Sequence, residues 1–220
     1  MKKGYKMVRD AVRQCPLPLL GIKGHKYIDS LLPYSTGIEI SIHTDFLKDI
    51  YGFFNPNIKR DIERDIENNF NLLAFDFISN ELKFRIKPGV EGMVSLYNMC
   101  EFLKKYAAIN PSDKAGNHYH IDCSEMKSFH YFRESTLSMN TDWILESLLS
   151  WNYKGSYNPY SVTKDKKGVV SFRSDYRTIE FRLGETTFDY SLMIKRIIHA
   201  QNIVKRMKSD YKKINSLMSL

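Results

Sequence analysis

A chain of 220 residues with 43% hydrophobic and 26% charged side chains is long enough for one large domain with a substantial core. No apolar run approaches the roughly 20 residues that span a bilayer, and the basic start is not followed by a signal-peptide core, because residues 15–21 are few and include Pro16 and Pro18. A net charge of +8 favours anionic partners, phosphates or nucleic acid, although a solvated surplus of lysines explains it too.

The three cysteines, Cys15, Cys100 and Cys123, are odd in number and lack C-x-x-C spacing. They predict reduced thiols in a cytoplasmic, reducing setting, with no disulfide framework and no membrane contact.

Residues 1–13 carry Lys2, Lys3, Lys6, Arg9 and Arg13. They predict a short helix or a basic arm that orders on a partner. Pro16 and Pro18 break it, and Lys23, His25 and Lys26 form a second basic cluster. Residues 1–36 are therefore read as a basic N-terminal extension. Residues 37–43 (GIEISIH) predict a strand. Ile38, Ile40 and Ile42 share one face, and Glu39, Ser41 and His43 the other. Residues 58–70 predict an amphipathic helix, with Ile58, Ile62, Ile66 and Phe70 four apart.

Residues 72–87 read as a β-hairpin turning at Ser79 and Asn80, closed by Pro88 and Gly89. Residues 91–106 read as a helix. Residues 117–122 (NHYHID) place His118, His120 and Asp122 on one face of a strand. Helices are expected at 125–132 and 142–151, and a Tyr-rich lid or contact loop at 151–160. A polar turn at 165–168 leads to a strand at 169–173. Residues 176–183 (YRTIEFRL) predict the central strand. Ile179, Phe181 and Leu183 then face a core, and Thr178, Glu180 and Arg182 face away from it. A long helix follows from about 188 to 207, with a helical tail at 209–220. There is no internal repeat or low-complexity linker, so residues 37–208 are read as one domain.

Taken singly, Glu180 and Arg182 read as a same-strand ion pair, and each histidine as a satisfied, half-buried imidazole. Three strands that each carry metal-type ligands opposite an apolar face are harder to ascribe to chance. In this order, GIEI, a hairpin ending in Pro-Gly, a helix, GNHYHID, and RTIEFRLGETTFDY before a long helix, the chain resembles the amidoligase family. These are small relatives of glutamine synthetase that join a carboxylate to an amine with ATP. The resemblance spans roughly residues 37–207. It implies an α+β fold, with a curved, mainly antiparallel sheet, helices on the outer face, and metal and nucleotide on the open face. It also implies ATP and Mg²⁺ or Mn²⁺ as cofactors. Glu39, His118 and Glu180 match metal positions, His120 a position facing the phosphates, and Arg182 one that steadies the transferring phosphoryl group. Arg177 is a further candidate for phosphate or substrate.

Two departures point another way. The family's first strand usually reads G-x-E-x-E, and here Ser41 holds the second acid's place. A further acid is expected near position 84, where this chain has Phe84 amid Lys83, Arg85 and Lys87. A two-metal site would lose most of its negative charge; Asp76, Glu81 or Asp122 are the acids near enough in sequence to compensate. The alternative is a catalytically inactive protein of the same fold that serves as a structural or binding component. Its partners would be proteins in an assembly or nucleic acid held by the basic N-terminus. Proteins of this kind occur in phage genomes, which adds the virion to the expected locations.

Overall fold

The computed structural model describes residues 32–42, 56–78, 81–106, 116–124, 143, 144, 146, 148, 158–163, 168–182 and 184–218. Among the described residues, seven strands form one open sheet: β1 (Thr36–Ser41), β2 (Ala74–Ile78), β3 (Glu81–Ile86), β4 (Asn117–Asp122), β5 (Asn158–Thr163), β6 (Gly168–Arg173) and β7 (Thr178–Phe181). Their order is β2-β3-β1-β4-β7-β6-β5. Every pairing is antiparallel except β5 with β6, which is parallel. The long helices are α1 (Pro56–Phe70), α2 (Gly89–Tyr106) and α3 (Tyr190–Met218). The molecule is thus α+β with a mainly antiparallel sheet, as the resemblance implies.

Period-two alternation sorts the sheet into two faces. Ile38 and Ile40 on β1, Leu82, Phe84 and Ile86 on β3, Tyr119 and Ile121 on β4, and Ile179 and Phe181 on β7 are all buried. The helices close over this face. Met93, Leu96, Met99 and Leu103 of α2 and Met193, Ile197, Ala200, Val204 and Met207 of α3 join the same core. Phe70 meets Phe102 edge-to-face at 5.5 Å, and Tyr97 meets Tyr190 at 5.4 Å.

Local chemistry sets the helix ends. Asn71 takes a left-handed φ of 54° after α1, and the Leu72 N–H donates to the Glu67 carbonyl at 3.0 Å, a Schellman closure. Asp189 caps α3 by accepting from the Leu192 N–H at 3.0 Å. Gln201, 1% exposed, ties α3 to the start of β1. Its amide donates to the Tyr34 carbonyl at 2.7 Å and the Thr36 hydroxyl at 2.8 Å, so the buried polar groups are satisfied.

Several boundaries differ from the sequence expectation. The central strand is shorter, because residues 174–177 form a turn in which Arg177 has a φ of 51°. Residues 158–160, expected in a loop, belong to β5; Asn and Tyr read as loop formers, but the pairing with β6 overrides that local signal. Helix α3 runs unbroken from Tyr190 to Met218, across the limit drawn at residue 208, and Tyr211 past that limit is still buried. Phe84 is a core residue, 3% exposed. Its neighbour Lys83 is on the open face, paired across to Glu39. Of the expected helix at 142–151, residues 143, 144, 146 and 148 are helical. The basic N-terminus, His43, the helix at 125–132, the turn at 165–167 and Leu183 lie outside the described residues.

Candidate metal centre

The face opposite the helices carries the chemistry. Strand register arranges it in rows that run across the sheet. One row is Asp76, Lys83, Glu39 and His118. The next is Ala74, Arg85, Gly37, His120, Glu180 and Ser171. Glu39, His118, His120 and Glu180 therefore meet because β1, β4 and β7 are neighbours, although they are far apart in the chain.

Glu180 is the centre of the group and is fully buried. Its Oε1 lies 3.5 Å from His120 Nε2, 3.6 Å from His118 Nδ1 and 2.9 Å from Arg182 Nη2. Its Oε2 accepts from Arg173 Nη1 at 2.9 Å. Glu39 answers from β1. Its Oε1 accepts from Lys83 Nζ at 3.0 Å and lies 3.5 Å from His120 Nε2, and its Oε2 lies 3.3 Å from His118 Nδ1. Burial works to raise the Glu39 pKa. The hydrogen bonds of His118 and His120, the charge of His120 and the Lys83 ammonium outweigh it, and hold the carboxyl well below the usual carboxylate range.

His120 Nε2 and Glu180 Oε1 are buried without a well-directed hydrogen bond among the described residues. The other ring nitrogen of His120 lies 3.3 Å from the Thr178 hydroxyl. In the tautomer in which Nδ1 donates to that hydroxyl, Nε2 is available to ligate a cation held between the two carboxylates. Glu39, His120 and Glu180 each offer one ligand atom, all within 4.8 Å of one another. A hard divalent cation with bonds of about 2.1 Å holds adjacent ligands about 3 Å apart, close to the spacing found. These residues fit such an ion, and the imidazole nitrogen shifts the preference toward Mn²⁺ over Mg²⁺.

The sequence-derived residues fall as follows. Glu39, His118, His120, Glu180 and Arg182 gather in one cluster. His120 joins the two glutamates as the three-ligand set, the place the resemblance gives to His118, while His118 bridges the same two carboxylates. The Glu180–Arg182 pair expected of an isolated E-x-R motif is present as well. Arg177 stays in the turn before β7, where its carbonyl accepts from the Cys123 N–H. Of the acids near enough to compensate for Ser41 and Phe84, Glu81 pairs with Lys83 at 3.2 Å and Asp122 with Arg85 at 3.1 Å.

Two contributors were missed. Lys83 reaches Glu39 from β3, and Arg173 reaches Glu180 from β6. The alternation in GVVSFR puts Ser171 and Arg173 on one face, but only the β6–β7 register turns that face toward Glu180. No family model matches the chain, and no curated protein matches it.

Proposed function

We propose that the open face of the sheet is the active site of an ATP-dependent carboxylate–amine ligase of the amidoligase kind, working with one divalent cation. The observation that carries this reading is the convergence of Glu39, His120 and Glu180 from three strands, with ligand atoms within 4.8 Å. An open, mainly antiparallel sheet with helices on one face is also the frame expected of a glutamine-synthetase-like fold.

In such a ligase the γ-phosphoryl group of ATP passes to a carboxylate oxygen, giving an acyl phosphate and ADP. The amine nitrogen then attacks the acyl carbon, the C–O bond to phosphate breaks, and inorganic phosphate leaves as the nitrogen gives its proton to a neighbouring base. A bound Mg²⁺ or Mn²⁺ supplies charge stabilisation at the phosphates. Glu39, His120 and Glu180 hold it, and His118 orients both carboxylates. Arg173 and Arg182 fix Glu180, and Arg182 steadies the phosphoryl group in transfer, the role the resemblance implies. Arg177, in the turn before β7, is a phosphate contact in this reading. Lys83, Arg173 and Arg182 outnumber the two carboxylates of the cluster. The site therefore favours a cation that arrives with the anionic triphosphate over a bare metal ion.

The test is hydroxylamine trapping. ATP, Mn²⁺, hydroxylamine and a panel of carboxylic acids are expected to yield a hydroxamate and one inorganic phosphate per hydroxamate, and Glu180→Ala to abolish both. Absence of hydroxamate across the panel with the unaltered protein would contradict the reading.

Lys83 favours a second reading. Its ammonium stands between Glu39 and Glu81 at 3.0 and 3.2 Å, beside the cluster, where the resemblance expects a further acid. A chain that kept the fold and gave up catalysis would use this surface, or its basic N-terminus, as a binding component for a protein assembly, nucleic acid or a phage particle. Affinity for such a partner would then survive Glu39→Ala and Glu180→Ala and fall when the basic residues of 1–13 are neutralised.

A further inference from the structure

Helix α3 carries seven cations and one acid, Asp210. Two of the cations have inward roles. Arg196, 4% exposed, donates to the Glu185 carbonyl at 3.1 Å, and Lys208, 5% exposed, lies 3.7 Å from the centre of the Tyr34 ring. The other five, Lys195, Lys205, Arg206, Lys212 and Lys213, are exposed. Elsewhere Lys83, Lys87 and Lys104 each lie within 3.3 Å of a carboxylate. On α3, Lys195, Lys205, Lys212 and Lys213 pair with no acid among the described residues, and Arg206 reaches Asp210 only at 4.0 Å. Like charges three and four residues apart, as at Lys205, Lys208 and Lys212, cost a helix stability, so their gathering points to an anionic partner.

The helical period arranges these cations in two rows. At about 100° per residue, Lys205 and Lys212 fall on one flank of the exposed arc, and Lys195, Arg206 and Lys213 on the other. Between the rows runs a neutral, polar midline of Asn202 and Ser209, both exposed. The rows extend from residue 195 to residue 213, about 27 Å at 1.5 Å per residue, and stand on the order of 10 Å apart. Arg206 is held on its flank by the Trp143 ring, whose centre is 4.1 Å from the guanidinium carbon, while 55% of its side chain stays exposed.

Two rows of cations ask for two rows of anions. B-form DNA presents them, with one charge per about 1.7 Å of axis and its two strands edging a major groove about 12 Å wide that admits an α-helix. The major groove of duplex RNA is too narrow. Single strands are held by exposed aromatic rings, and a bilayer surface by large apolar side chains. The midline of α3 offers neither, and the exposed Leu217 lies beyond the last cation. We infer that α3 binds duplex DNA through its phosphates, one flank on each strand and the Asn202–Ser209 midline over the major groove. The inference is independent of the ligase reading, because α3 packs on the apolar face of the sheet, across from the metal cluster.

The test is fluorescence anisotropy of a labelled DNA duplex of about 20 base pairs, titrated with the full chain at salt concentrations from about 50 to 200 mM. Five phosphate contacts give a slope of log K against log salt of about −4.5 or steeper. The combined changes Lys205→Gln, Lys212→Gln and Lys213→Gln are expected to weaken binding at least tenfold at about 50 mM salt and to make the slope shallower by about 2.7. Lys104→Gln, on α2, is expected to leave both unchanged. Circular dichroism melts check that the variants fold. Duplex RNA, single-stranded DNA and phosphatidylserine vesicles are added as competitors, and each is expected to displace the labelled duplex less well than unlabelled duplex DNA does. A competitor that displaces it as well or better overturns the assignment of the partner. No binding of duplex DNA at about 50 mM salt overturns the inference. So does an unaltered affinity and slope in the folded triple variant, which would move any binding to the basic residues of 1–13.

Discussion

Glu180 concentrates the energetics of the site in one side chain. It is fully buried and pairs with Arg173 and Arg182 at 2.9 Å each. Removing one partner of a buried charge group strands the others, at a cost of about 3–5 kcal/mol. Glu180→Ala is expected to lower unfolding free energy by that amount in urea titrations, and Glu180→Gln by less. Lys83→Met, which touches a half-exposed pair, is expected to stay within about 1 kcal/mol. The face shared by Thr178, Glu180 and Arg182 was legible in the sequence because Ile179 and Phe181 alternate with them. So was the parity of β3, where Leu82, Phe84 and Ile86 alternate with Lys83, Arg85 and Lys87. Which of those basic residues stands opposite Glu39 was not, because it rests on the register of β3 with β1, which sets Lys83 over the cluster and leaves Phe84 in the core. Phe84→Ala is accordingly expected to cost about 3–5 kcal/mol as a core truncation, measured in the same titrations. A loss under 1 kcal/mol would contradict its placement.

At the scale of elements, patterning was informative where one face is buried. The period of four in α1, the alternation in β2 and β3, and the apolar stripe of α3 correspond to elements in the fold. Strand β5 was hidden, since it lies at the edge of the sheet and takes its conformation from parallel pairing with β6. The packing of the end of α3 was also hidden, because Tyr211 is a single apolar residue amid lysines and its burial is a tertiary fact. The start of α2 carries a tighter constraint. At Gly92 a β-carbon would run into the Lys87 carbonyl, so only glycine lets the helix pack against the end of β3. Gly92→Ala is expected to lower stability by roughly 1–3 kcal/mol despite alanine's better helix propensity. A rise in melting temperature would contradict that close approach.

Across the whole molecule, the apolar and polar faces of one sheet divide stability from chemistry. This division was readable in GIEIS, NHYHID and TIEF, whereas the ligand set within the polar face depended on strand order. Burial also shapes the response to pH. It pushes the Cys100 thiol up to about 12 and raises Tyr119. Lys83 is raised too; burial works against its charge, and pairing with Glu39 prevails. The sign is the same for all three. Between about pH 9 and 12 the unfolded chain sheds protons that the folded chain retains, so stability present below pH 9 is lost as pH rises. Urea midpoints are expected to fall across that window. Cys100 is expected to resist thiol reagents at pH 8 until the chain is unfolded.

The proposed cation site is tested most directly by X-ray diffraction from crystals soaked with Mn²⁺ and ATP, using manganese anomalous scattering. The expected result is one strong peak within about 2.0–2.6 Å of His120 Nε2 and of carboxylate oxygens of Glu39 and Glu180, absent in His120→Ala. No peak there in the unaltered protein, or one bound elsewhere on the sheet, would contradict the site.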